Sequence, residues 1–182
     1  MEKFFINKRI IMPIEQYCGV HATCMEYAPI IKEEGFKLSP EDRYLGAGVY
    51  FYDKDKNGDK FADIHKNNKL KHGRCKENDV GVIISAKISS TSERILDLEE
   101  EEYVRALESI KDDFWEEYDS IAMSHEDKEK ILNRRRTKYL FSLIPEVIES
   151  IDFVKTPLPY KKKKYSSGFV VYNTECISEI SY

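Results

Sequence analysis

The chain has 182 residues, 41% of them hydrophobic and 34% charged, which describes one globular domain and not a disordered or fibrous chain. Its net charge of −4 selects no partner by itself, and no apolar run approaches the roughly 20 residues that span a bilayer. The opening MEKFFINKRIIMP intersperses charge among its apolar residues and offers no small-residue cleavage site, so no signal peptide is expected. Cys18, Cys24, Cys75 and Cys176 form no CxxC pair and no zinc spacing. Reduced thiols in a cytoplasmic protein are the expectation, with no membrane segment, no metal and no disulfide scaffold.

Gln16 to Val20 reads as a strand leading into His21. Pro29 suits a first helical turn and Gly35 a left-handed C-terminal position, so Ala28 to Glu34 is expected to be a short helix. Tyr44 to Tyr52 (YLGAGVYFY) predicts a turn entering a strand, and Asp53 to Asp59 a polar turn. Phe61 to Lys66 opens a further helix. Asp79 to Ile88 sets Val80, Val82, Ile84, Ala86 and Ile88 on alternate positions, a strand pattern. Near Leu98 the period changes. Tyr103, Leu107, Ile110, Phe114, Tyr118 and Ile121 recur at helical intervals, and Tyr139, Leu143, Ile144, Val147 and Ile148 predict a second helix ending near Ser150. Ile151 to Lys155 and Phe169 to Tyr172 return to strand composition, with Pro157, Pro159 and Lys161 to Lys164 expected as a loop between them.

Two segments combine residue types with no evident packing purpose: Gly19-Val20-His21-Ala22-Thr23, and Leu45-Gly46-Ala47-Gly48-Val49-Tyr50-Phe51. Glycines one residue apart permit close backbone approach or positive φ. The GxG stands before a strand and does not open a helix, so it is not a dinucleotide-binding phosphate loop. In this order the segments resemble the poly(ADP-ribose) polymerase-like branch of the ADP-ribosyltransferases, and within it the bacterial toxin or defence members. That signature runs H-G-[ST], a short helix closed by glycine, then G-x-G-[IV]-Y-F; here it reads HAT, IIKEEGF and GAGVYF. FADIHK, VGVIISAKI, ILDL and SGFVVYNTECI are similar to later pieces of the family, so the resemblance covers residues 14 to 98 and 166 to 178.

The order of elements reads as one α+β domain over 1–182 with a charged helical insertion at about 97–150, and the resemblance implies a split β-sheet that binds NAD. It implies that His21 bonds the 2′-hydroxyl of the adenosine ribose and that the Ala22 backbone holds the nicotinamide carboxamide. Tyr50 would set its ring against nicotinamide, Phe61 would stack opposite, and Thr23 and Gly48 would complete the cofactor-binding residues. His21 and Tyr50 are the catalytic candidates. The implied reaction transfers one ADP-ribose unit from NAD to a macromolecular acceptor, RNA, DNA or protein, in a toxin or anti-phage effector that a cognate antitoxin could restrain. One departure matters. The family's glutamate at the start of the final strand aligns with Gly168 or Ser167, so chain elongation is not expected, while Glu175, an odd seven residues beyond Gly168, would face the other way. A catalytically impaired NAD-binding module, an NAD glycohydrolase and an RNA 2′-phosphotransferase remain as alternatives.

The other candidates carry less chemistry. Lys161 to Lys164, bracketed by Tyr160 and Tyr165, and Arg134 to Arg136 could attract nucleic acid, or could be solvated. His65 and His72 read as surface residues. Trp115 reads as an anchor of its helix to the domain. Cys18 and His21, three apart on a strand, would face opposite ways, which disfavours a cysteine nucleophile.

Overall fold

The structure is a computed structural model that describes residues 13–71, 75–76, 80–143, 151–161 and 164–182. It is an α+β fold with seven strands in one mixed sheet and four α-helices. The strands are β1 (Ile14–Cys24), β2 (Val49–Asp53), β3 (Gly81–Thr91), β4 (Ile95–Asp97), β5 (Phe153–Lys161), β6 (Lys164–Val171) and β7 (Ile177–Ser181). The helices are α1 (Ala28–Glu34), α2 (Gly58–Lys71), α3 (Glu101–Tyr118) and α4 (His125–Ser142). Their sheet order is β4-β5-β6-β2-β1-β3-β7. β1 pairs with β3 from Ile14 to Cys24 but meets β2 only at Gly19↔Asp53 and Val20↔Tyr52. The sheet is therefore continuous, with its shortest seam beside His21.

Each face of the sheet carries a core. One gathers Val20, Tyr52, Val154, Leu158 and Val170 with Ala62 of α2, Leu107 of α3 and Leu140 of α4. The other gathers Phe51, Ile84, Ile88, Phe153 and Phe169 with Ala28 of α1. Burying side chains of this size contributes about 1.5–3 kcal/mol each. The alternation read along β3 holds for buried Ile84, Ala86 and Ile88, but Val80 lies before the strand and is exposed. α1 ends at Gly35 with φ +83, the positive value expected of its closing glycine.

Several expectations are corrected. The prolines lie within β5, not in a loop. Lys155 O accepts from Leu98 N, so the odd-numbered β5 residues turn their backbone groups away from β6. β4 stops at Asp97, so Pro157 and Pro159 fall where the missing N–H would face an open edge. The first inserted helix ends at Tyr118, leaving Ile121 exposed. The second begins at His125, well before Tyr139, because the Ser124 hydroxyl caps the Asp127 amide at 3.1 Å; residues 144–150, which carry the rest of the expected helix, lie outside the described residues. Glu175 is not on β6 at all but in a 3₁₀ turn, Thr174–Cys176.

The thiol expectation also fails. Cys24 and Cys75 form a disulfide, leaving Cys18 and Cys176 free. The bond ties the end of β1 to the segment after α2, where the two elements pack side by side. Disulfides persist in oxidising surroundings, so the argument for a cytosol from cysteine usage falls away. No described helix is long and apolar enough to cross a membrane.

Candidate active site

His21 stands on β1 next to the short seam with β2. Its ring packs edge-on to Phe36 and Phe51, with centroids 5.4 and 5.8 Å away. Nδ1 lies 2.8 Å from Tyr50 O. A carbonyl can only accept, so Nδ1 carries the proton of a neutral imidazole and Nε2 is left as an acceptor. Burial holds the imidazole pKa down to about 4; the positive charge of Lys69 and, least, the neighbouring His65 push the same way, against the opposing bond to Tyr50 O. His21 is therefore neutral at pH 7. This hydrogen bond joins residues 29 apart in sequence, one from each motif.

Tyr50 is fixed at both ends. Its hydroxyl donates to Gly46 O at 2.8 Å and accepts from Leu45 N at 3.0 Å. Burial pushes its pKa up to about 12, so the phenol stays protonated and donates. Gly46 has φ +86, which turns its carbonyl to the phenol without the penalty a side chain would carry. Tyr172 supports the same corner by donating to Leu45 O at 2.7 Å. The loop also docks on α4: Asn133 Nδ2 donates to Asp42 O at 2.9 Å, and the Arg136 guanidinium lies 4.7 Å from the Tyr44 ring centroid.

His21, Ala22, Thr23 and Tyr50 open onto one cavity of about 1410 Å³, whose far wall is the α3–α4 pair. That exceeds the roughly 300–1,000 Å³ of ordinary small-ligand pockets. α2 contributes His65 and Lys69, one helical turn apart on the face begun by Phe61. Lys69 Nζ donates to Ala22 O at 2.7 Å, so a carboxamide reaching this carbonyl would share it with the ammonium or displace it. Trp115 stacks on His125 of α4, with centroids 5.4 Å apart and planes at 16°, and both line the cavity. Trp115 thus joins the two inserted helices instead of anchoring one to the sheet.

Two expected site residues stand apart from these walls. Gly48 packs against β6, where an added Cβ would lie 2.6 Å from Val170 Cγ1. Phe61 packs on Tyr52 at 6.1 Å, and Tyr52 with His65 lines the cavity in its place. His65 is consequently no surface residue; the i, i+4, i+8 spacing of Phe61, His65 and Lys69 was the signal for it. His72 lies outside the described residues. The cavity's carboxylates, Asp42, Asp112, Glu126 and Glu129, come from the loop and the helical pair, none from β6. Among the described residues no cluster could hold a metal ion.

Comparison with protein families, with curated proteins and with solved structures finds no match. The basic segments also differ from their expected form. Arg135 pairs with Glu117 at 2.8 Å and covers the Phe114 and Tyr118 rings, while Arg136 is buried, so Arg134 to Arg136 is not one solvated patch. The lysine run crosses the β5–β6 hairpin, where Lys161 pairs with Lys164 in the ladder and Lys162 and Lys163 lie outside the described residues.

Proposed function

We propose that this chain is a mono-ADP-ribosyltransferase that takes ADP-ribose from NAD and passes it to a macromolecular acceptor. The observation that carries the reading is the 2.8 Å bond from His21 to the Tyr50 carbonyl at the floor of the cavity. It leaves His21 Nε2 as an acceptor for a ribose hydroxyl and fixes the Tyr50 ring as an apolar wall. The sheet is continuous and not split, but its shortest seam, the two-rung β1–β2 pairing, lies where an ADP-ribosyltransferase-like domain would part around a ligand. The chain's bond-breaking step is heterolytic: the nicotinamide–ribose bond cleaves, its electron pair leaves with nicotinamide, and the acceptor nucleophile bonds the same carbon while losing a proton. Positive charge develops on the sugar, and carboxylates on the cavity wall favour it electrostatically.

A second reading, an NAD-binding module without turnover, is favoured by Gly168, where β6 has no room for the family's glutamate. Purified protein incubated with NAD labelled in its ADP-ribose part separates the two. Label on acceptors supports transfer, free nicotinamide without labelled acceptor means hydrolysis, and binding without nicotinamide release supports the module. His21→Ala should weaken NAD use about 5- to 150-fold, the effect of about 1–3 kcal/mol for a lost hydrogen bond in a partly dry site. Wild-type turnover in folded His21→Ala and Tyr50→Ala proteins would overturn the site.

A further inference from the structure

Arg136 has no place in the reading so far. It is a buried arginine, 5% exposed, that lines the same cavity. Its Nη1 donates to Asn133 Oδ1 at 3.0 Å, its face lies on the Tyr44 ring, and its Nε has no hydrogen-bond partner. No carboxylate lies within ion-pair distance of it among the described residues, although Asp42 and Glu129 are on the same cavity walls. Asn133 is neutral, and its amide nitrogen is committed to Asp42 O. The guanidinium is thus enclosed as a cation without a counter-ion, an arrangement that disfavours folding unless an anion or water completes it. The residue lines a ligand-sized space, and a planar guanidinium matches the paired oxygens of a phosphate.

Its position says which phosphate. Arg136 covers Tyr44; the neighbouring Leu45 amide bonds the Tyr50 hydroxyl; the Tyr50 carbonyl bonds His21. The cation and the imidazole are therefore linked through the Tyr44–Leu45 turn and Tyr50, and both line the same cavity. We propose that Arg136 is the phosphate-binding residue of this cavity and takes the diphosphate of a nucleotide whose ribose lies at His21. The proposal rests on the NAD reading for the identity of the nucleotide, but not for the presence of an anion site. It assigns the inserted helical pair a binding role: α4 brings a positive charge that the sheet lacks at this point.

The test is calorimetric titration of the full chain with ADP and with adenosine. Arg136→Met keeps the length of the side chain and removes its charge. ADP affinity should fall roughly 10- to 150-fold, the range for hydrogen bonds to a charged group, with adenosine affinity unchanged. Equal ADP affinity in the variant, or an equal fall for ADP and adenosine, would overturn the assignment. Should Arg136→Met fail to fold by circular dichroism, Arg136→Lys decides: it keeps the charge without the fork, and unchanged ADP affinity would be fatal to the proposal. A single-stranded oligonucleotide that depends on Arg136 while ADP does not would also overturn it, placing nucleic acid there instead. Arg136-dependent ADP binding in a protein that ignores NAD keeps the phosphate site and discards the NAD reading. NAD turnover unaffected by Arg136→Met does the reverse.

Discussion

At the scale of single residues, His21 couples the site to pH. Its proton binds near pH 6.5 in an unfolded chain but only near 4 in the folded one. Between those values the unfolded chain holds the extra proton, so acid favours unfolding. The contribution is complete above about 6.5, declines as pH falls, and is lost by about 4. At about 1.4 kcal/mol per pH unit it amounts to roughly 3 kcal/mol. Urea denaturation at pH 7 and 4.5 should show wild type losing about 2–3 kcal/mol more than His21→Gln, which cannot titrate there. Equal losses would mean that the imidazole is not held neutral. Gly168 is the second decisive residue. A Cβ there would lie 2.4 Å from Phe51 O and 2.5 Å from Leu158 Cδ1. Gly168→Ala should therefore destabilise by about 1–3 kcal/mol through overpacking, and Gly168→Glu more, without restoring a carboxylate to the site. An alanine variant with the wild-type midpoint would show that β2 and β6 can separate, and would reopen that position to a carboxylate. His21 and Tyr50 were legible because each sits in a short motif. Lys69 was not, since a lone cation has no pattern until its burial is known, and Arg136 was legible only as one of the basic run Arg134 to Arg136, not as a buried side chain.

At the scale of elements, α4 shows why periodicity misled. Its buried positions are Lys128, Leu132, Arg136 and Leu140, a regular four-residue spacing in which half the residues are basic. An apolar count therefore sees no face before Tyr139, although Ser124 with Glu126 and Asp127 is a legible helix start. Lys128 tolerates burial by donating to Asp119 O at 3.1 Å, across the turn from α3. β5 misled for the opposite reason: its prolines are loop-forming unless an edge is available, and the edge is a property of where β4 ends. The disulfide acts between elements, closing a separation of 51 residues that contains α1, β2 and α2. Restricting so long a loop in the unfolded chain should contribute about 2–4 kcal/mol. Cys75→Ser should lower stability by that amount, and a reductant should lower wild type to match while leaving the variant unchanged. A reductant-insensitive wild type would show that the cross-link does not form.

At the scale of the whole molecule, the cavity forms where segments distant in sequence converge: β1, β2, α2, the α3–α4 pair, the loop that carries Asp42 to Tyr44, and Leu158 of β5. On the proposed activity, its carboxylates stand on the loop and the inserted helices while β6 presents Gly168. Acceptors should therefore carry one ADP-ribose unit per modified site. A ladder of oligomeric adducts in mass spectra would contradict that and point to Asp42, Asp112, Glu126 or Glu129 as a substitute for the β6 carboxylate. The amino-acid sequence by itself determined the α+β class, the limits of α1, the inward alternation along β3 and the two motifs that meet at His21 and Tyr50. Those features depend on near neighbours: a proline and a glycine at the ends of a helix, or apolar residues on alternate positions. The sheet order, the disulfide, the limits of α4, the closure of Gly168 and the burial of Arg136 depend on which distant segments meet. They were decided by the tertiary structure, because a side chain's charge and size acquire meaning only from what is packed against them.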